Sequence, residues 1–136
     1  MHALLYRSRA RPGLMAPDLN AIIAVAEARN RALDVTGLLL YGQIPSVPGA
    51  PGEFVQWIEG PETAVRALFA DIGDDDRHFD VDVLADGSVD EVRGETGRLF
   101  PSWSMGLVRL SELPATRRGF LRFAATWNGD VLAAAA

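Results

Sequence analysis

The run Phe54-Val55-Gln56-Trp57-Ile58-Glu59-Gly60-Pro61 constrains this chain more than any other stretch. Its apolar residues fall on both faces of a short strand, which reads as buried, and Pro61 opens a helix directly after it. Gln56 sits in the middle of that strand with two donors and two acceptor lone pairs to satisfy. Left unpaired inside a core, such a group costs about 1–3 kcal/mol. Either the fold satisfies Gln56, or a ligand with hydrogen-bonding edges lies against it, and the flanking sequence favours the ligand.

Length and composition narrow the alternatives. At 136 residues with 49% hydrophobic content, the chain suits one globular domain. No apolar run reaches the roughly 18 residues a membrane span needs, and the start Met-His-Ala-Leu-Leu-Tyr has no basic leader or cleavage site, so a cytoplasmic, membrane-free protein is expected. The absence of Cys excludes disulfides, thiolate catalysis and cysteine metal sites. A formal charge of −5 argues against a nucleic-acid partner. Arg7, Arg9 and Arg11 form a small basic cluster, either a solvated loop edge or a contact for an anion. The acidic run Asp71 to Asp76 lacks the regular oxygen-ligand spacing of a cation loop, so no metal site is read there.

Periodicity predicts strands over Ala3–Ser8, Val35–Tyr41, Gly52–Glu59, His78–Leu84 and Leu99–Val108. It predicts helices over Asp18–Arg31 and Glu62–Ile72, and a short helical tail over Leu113–Phe123. The order β-α-β-β-α-β-β gives an α+β, ferredoxin-like sandwich: a mixed five-stranded sheet, two helices on one face and a short C-terminal helical tail. In that plan the first and third strands lie side by side and parallel at the sheet centre. Two connections are longer than the plan requires: Gly42 to Gly52, with Pro45, Pro48 and Pro51, and the polar stretch Asp86 to Gly97. Ala133 to Ala136 reads as frayed chain. The division expected is a sensor-sized unit over 1–110 and a cap or output segment over 111–136.

Period-two geometry puts Tyr6 with Leu4 and Ser8, and Gln56 with Phe54 and Ile58. If those faces coincide, a phenol and a carboxamide meet beneath the helices, within reach of Asn30. Taken singly, Tyr6 is a common core residue, Asn30 a common helix C-terminal residue, and Trp103 with Met105 an ordinary aromatic–thioether pair.

Their combination resembles a known family. Leu4-Leu5-Tyr6-Arg7-Ser8, Asn30 followed by Val35-Thr36-Gly37-Leu38-Leu39, the Phe54–Gly60 run, Asp76-Arg77-His78, and Phe100-Pro101-Ser102-Trp103-Ser104-Met105 together look like the BLUF domain, the sensor of blue light using FAD, over roughly Met1 to Leu110. The resemblance implies a non-enzymatic blue-light photoreceptor of the short, single-domain type, with the flavin ring between the two helices. It implies that Tyr6 donates an electron and proton, that Gln56 links Tyr6 to the flavin, and that Trp103 and Met105 respond to a change at Gln56. It implies that Asn30 and Arg77 hold the pyrimidine edge and that His78 is structural or lies on the ribityl side. Apolar walls are expected from Ile22, Ile23, Ala26, Val65 and Leu68, and Arg29 is either a phosphate contact or a solvated helix-end residue. With no effector module in view, output passes to a separate downstream protein or to another copy of the chain. The apolar tail residues Leu113, Phe120, Leu121 and Phe123 either supply that surface or cap the open sheet.

Two other readings stay open at this point. One is an acylphosphatase-type hydrolase using Arg7 or Arg9 with Asn30, although Arg11-Pro12-Gly13 is a poor phosphate cradle. The other is an interaction module that keeps the fold without light sensing.

Overall fold

The computed structural model describes residues 1–14, 16–47 and 50–127, with Ala16 by its backbone alone. Pro48 and the Ala133–Ala136 end lie outside the described residues. The chain runs β1 (His2–Ala10), α1 (Ala16–Ala32), β2 (Thr36–Gln43), β3 (Glu53–Gly60), α2 (Glu62–Gly73), β4 (His78–Ser88), α3 (Val89–Arg93), β5 (Trp103–Arg109), a 3-10 turn (Leu110–Glu112) and α4 (Arg117–Ala124). No helix among the described residues is long and apolar enough to cross a membrane.

The five strands form one mixed sheet in the order β4-β1-β3-β2-β5. β1 and β3 are central neighbours, as the pattern predicts, but they run antiparallel. The parallel pairing expected from sequence is therefore corrected. The reason lies in the connections: α1 carries the chain from β1 to a β2 of the same direction, one strand away. β3 returns from β2 as its antiparallel partner and fills the gap, so it opposes both neighbours. β5 then adds to the free side of β2 in parallel.

Local chemistry sets the element ends. α1 carries Asp18 in its first turn and Arg29 and Arg31 in its last, complementing the helix dipole. It stops where Asp34 turns left-handed at φ 57°, a conformation Asp tolerates better than most residues. Pro61 precedes α2, and its carbonyl takes the Val65 N–H at 2.9 Å. The stretch expected to be a polar loop from Asp86 is half structured: β4 continues to Ser88 and α3 follows. Ser88 Oγ caps α3 by accepting from the Glu91 amide, and left-handed Gly94 closes it.

β5 begins at Trp103 rather than Leu99. The fully buried Glu59 carboxylate takes the Leu99 and Phe100 amides, each at 2.7 Å, and so holds them off the sheet ladder. Pro101 has no amide to offer.

α1 and α2 cover one face of the sheet. On the other, Trp57, Leu5, Leu38, Leu40 and Val55 pack against Val89, Val92, Phe100, Leu113 and Phe120. Trp57 and Phe120 stack with centroids 5.7 Å apart and planes within 2°. The tail helix starts at Arg117, after Pro114, with Thr116 Oγ1 as its N-cap. Phe120 on this helix and Leu113 before it are buried, and Leu121 and Phe123 are half-covered by the same core. These tail residues pack on the sheet face opposite α1 and α2.

Candidate functional site

Register brings the central residues together. Tyr6 pairs with Gln56 across β1 and β3, Gln56 with Leu39 across β3 and β2, and Leu39 with Met105 across β2 and β5. Directly paired residues share a face. Tyr6, Gln56, Leu39 and Met105 thus form one row across four strands under the helices. The next row is Leu4, Ile58, Gly37 and Trp103. A Cβ at Gly37 would stand 1.9 Å from the Trp57 carbonyl oxygen, so only glycine fits there.

The Tyr6 hydroxyl donates to Gln56 Oε1 at 2.7 Å, with both residues buried at 3% and 4% exposure. That bond satisfies the carbonyl end of Gln56. No described residue takes its Nε2 hydrogens, and Gln56 faces a cleft between α1 and the end of α2. Burial, and next the Asp75 charge, push the Tyr6 phenol above its ordinary value, with Arg29 opposing. The phenol therefore stays protonated and keeps a proton to give.

α1 lines the cleft with Ile22, Val25, Ala26 and Arg29, and the sheet with Tyr6, Leu39, Phe54 and Gln56. Ile72, Asp75, Arg77 and His78 close it from the other side. His78 Nε2 lies 2.5 Å from the Ile72 carbonyl, which can only accept, so Nε2 carries a proton. In the neutral ring Nδ1 then accepts from Ser8 Oγ at 2.7 Å. The ring is thereby fixed edge-on, 6.0 Å from the Tyr6 ring centroid.

Arg77 meets Asp75 as a fork, through Nε to both carboxylate oxygens and through NH2 to Oδ2, and its backbone amide bonds the same carboxylate. The guanidinium donors hold Asp75 below the usual carboxylate range, and the same bond raises Arg77. Asp75 is thus the member of the acidic run that works inside the fold.

The polar groups most in need of a partner lie on the last turns of α1. Asn30 is fully buried, yet neither Oδ1 nor Nδ2 has a hydrogen bond, and Arg29 Nε is likewise buried and unbonded. Buried amide ends without partners are costly. A donor–acceptor pair on Asn30 beside a cation matches the alternating carbonyl and N–H edge of a flavin pyrimidine, and Ile22, Val25 and Ala26 match its flat apolar body.

Other expected residues lie elsewhere. Val65 and Leu68 are fully buried behind Tyr6, with Leu4, Ile58 and Ile72, and do not reach the cleft. Ile23 is half-buried against the cluster of Leu39, Phe54 and Met105 and is also off its wall, and Asn30, fully buried next to Arg29, is not on the wall of the cleft either. Met105 is buried, whereas Trp103 is half-exposed. Val25, Leu39, Phe54, Ile72 and Asp75 are the wall residues that sequence reasoning missed. Leu39 comes to the wall through its pairing with Gln56 across β2 and β3, a register the sequence did not set, and nothing in the sequence marked Asp75 among its acidic neighbours.

In the basic cluster Arg7 and Arg11 are occupied with the fold itself, whereas Arg9 is exposed and only 3.9 Å from the equally exposed Asp80 carboxylate. Arg7 forks onto Glu53 at 3.0 Å and reaches the Pro114 carbonyl, while Arg11 lies over Phe79 and bonds the Asp76 carbonyl. A phosphate clamp on Arg7 with Asn30 gains nothing from this arrangement. Among the described residues no group of three potential ligands is placed to hold a metal.

The site thus centres on a hydrogen-bonded Tyr–Gln pair in the middle of a mixed, ferredoxin-like sheet beneath two helices. The chain belongs to the BLUF family, "Sensors of blue-light using FAD", whose family model matches residues 1–106, and its cofactor is FAD. Among solved structures, BlrB, a BLUF protein in its dark state, superposes with a TM-score of 0.65 at 34% identity, covering 92% of this chain and 84% of that one. Klebsiella pneumoniae BlrP1 superposes with a TM-score of 0.64 at 29% identity, covering 91% of this chain and 27% of that one. Photoactivated adenylate cyclase subunit alpha of Euglena gracilis is 39% identical over 88 residues, 65% of this chain but 8% of the cyclase subunit. The blue light- and temperature-regulated antirepressor BluF of Escherichia coli is 33% identical over 84 residues, 61% of this chain and 19% of the antirepressor.

Proposed function

We propose that this protein is a blue-light receptor whose switch is the Tyr6–Gln56 pair. The single observation behind it is the buried 2.7 Å bond from the Tyr6 hydroxyl to Gln56 Oε1 at the centre of the sheet. FAD held in the cleft supplies blue-light absorption and a one-electron acceptor. Asn30 and Arg29 hold its polar edge and Ile22, Val25 and Ala26 its flat body, with Arg77 and His78 on the opposite wall.

Tyr6 loses an electron, and its proton passes along the existing bond to Gln56 Oε1. Gln56 answers by rotation or by a tautomer change, either of which exchanges its donor and acceptor ends. When electron and proton return to Tyr6, the changed Gln56 orientation outlasts them. Leu39 and Met105 continue the row, and Trp57, the next residue of β3, stands on Phe120 across the sheet. Both give the change at Gln56 a physical path outward.

In this reading residues 1–110 are the sensor and 111–136 the cap through which it acts. The chain performs no catalysis itself and signals to a separate protein or to a second copy of itself. The test is a light-minus-dark absorption spectrum of the purified protein after reconstitution with FAD. A small, reversible red shift with oxidised flavin recovered in the dark is expected. No flavin bound, or a flavin that light leaves stably reduced, would overturn the reading.

A further inference from the structure

A second cavity, of about 300 Å³, opens at the far end of α1, between its last turns, the start of β2 and the turn before β5. None of its lining residues belongs to the cleft over Gln56. Val35, Pro101 and Trp103 give it an apolar floor, and Glu27 and Arg31 line it from α1.

Glu27 and Arg31 stand four residues apart with the acid nearer the helix N-terminus, the arrangement that ordinarily closes into an ion pair. Glu62 and Arg66 on α2 do close, at 2.9 Å. Glu27 and Arg31 pair neither with each other nor with any other described residue. Asp34, also on the wall, is already matched by Arg98 at 3.1 Å. The cavity therefore presents one uncommitted carboxylate and one uncommitted guanidinium beside an indole and a proline ring.

We infer that this cavity is a binding site for a small zwitterion with an apolar or aromatic body, of the α-amino-acid class. Its ammonium meets Glu27, its carboxylate meets the planar fork of Arg31, and its body lies on Trp103 and Pro101. A simple anion is opposed by Glu27 and a simple cation by Arg31, so both charges are required for tight binding. The volume suits a ligand at the small end of the ordinary range. The site stands independently of the photochemistry, although Trp103 lies one row from Gln56 on the same face of the sheet.

The test uses the ¹⁵N-labelled full chain in the dark, observing the Trp103 indole resonance, assigned with Trp103→Phe among the chain's three tryptophans. L-phenylalanine is the probe, with N-acetyl-L-phenylalanine lacking the ammonium and phenethylamine lacking the carboxylate. A saturable shift with L-phenylalanine is expected, weakened about tenfold by either analogue and about tenfold in Glu27→Gln or Arg31→Gln, as for loss of one charge-assisted bond. Glu27 and Arg31 are exposed, so unchanged thermal midpoints are expected for both variants. No saturable shift at tens of millimolar L-phenylalanine would overturn the proposal. So would equal affinity for phenethylamine and L-phenylalanine, which needs no variant to fold.

Discussion

Gln56 is the residue on which both stability and signalling turn. Its carbonyl end is satisfied by Tyr6, and the residue also lines the cleft. The discomfort of a glutamine in an apolar strand was legible in sequence, as was its neighbourhood with Tyr6. The hydrogen bond itself was not, because strand parity cannot tell which faces of two strands coincide until the register is set. Arg77 shows another limit: its motif was legible, but its fork onto Asp75 was not, since any of Asp74, Asp75 and Asp76 fits the spacing. Replacing Asp75 by Asn should cost about 1 kcal/mol, the upper range for a partly solvated pair. Because Asp75 is held below its unfolded value, its contribution is present above the unfolded carboxylate pKa of about 3.9. It is lost as pH falls through the lower folded value, so the Asn variant should converge with wild type in acid denaturant titrations. Tyr6 has the opposite sign. Burial raises its phenol, so its contribution is full below the unfolded value of about 10 and is lost as pH rises toward the folded one. Wild type should thus lose stability above pH ~10 more steeply than Tyr6→Phe, measured by urea midpoints along the pH series.

At the scale of elements, Glu59 joins the Gln56 strand to the segment leading into Trp103. Burial raises its carboxyl, and the Leu99 and Phe100 amides pull the other way. Glu59→Ala leaves two amides without their acceptor, and a loss of about 2–6 kcal/mol is expected from two such groups. Hydrogen exchange should rise over 98–103, whereas Glu59→Gln, which keeps one acceptor, should retain part of the protection. Unchanged exchange there in Glu59→Ala would remove Glu59 as the anchor of β5. Gly37→Ala should be more damaging than a surface helix change, since its Cβ meets backbone rather than a movable side chain. The early start expected for β5, at Leu99, failed on this contact: apolar residues read as strand, but a carboxylate 40 residues earlier takes their amides. α3 was missed although its signals were present, with Ser88 and Glu91 in capping-box spacing and Gly94 at the end. Five helical residues are too few for periodicity to register.

For the whole molecule, the sheet has two covered faces. The cleft occupies one, and the C-terminal segment closes the other through Leu113, Phe120 and the Trp57–Phe120 stack, with Trp127 so close over Gly106 that a Cβ there would be 2.7 Å from its ring. Phe120→Ala should therefore destabilise the entire sensor by about 3–5 kcal/mol, as for a buried aromatic, in equilibrium unfolding. A tail that merely hung from the domain would cost almost nothing. The antiparallel β1–β3 pairing was hidden for a related reason: element order is local, whereas strand direction depends on which slot β3 fills after the crossover. The central claim concerns a proton moving between Tyr6 and Gln56. Glutamine occurs only at positions 43 and 56, so ¹³C,¹⁵N-glutamine labelling in a Gln43→Ala background isolates the Gln56 side chain. Light-minus-dark infrared spectra of that protein with bound flavin should show isotope-shifted Gln56 amide bands that form on illumination, decay with the red shift, and vanish in Tyr6→Phe. A red shift with no Gln56 bands, or Gln56 bands that persist without the Tyr6 hydroxyl, would contradict it.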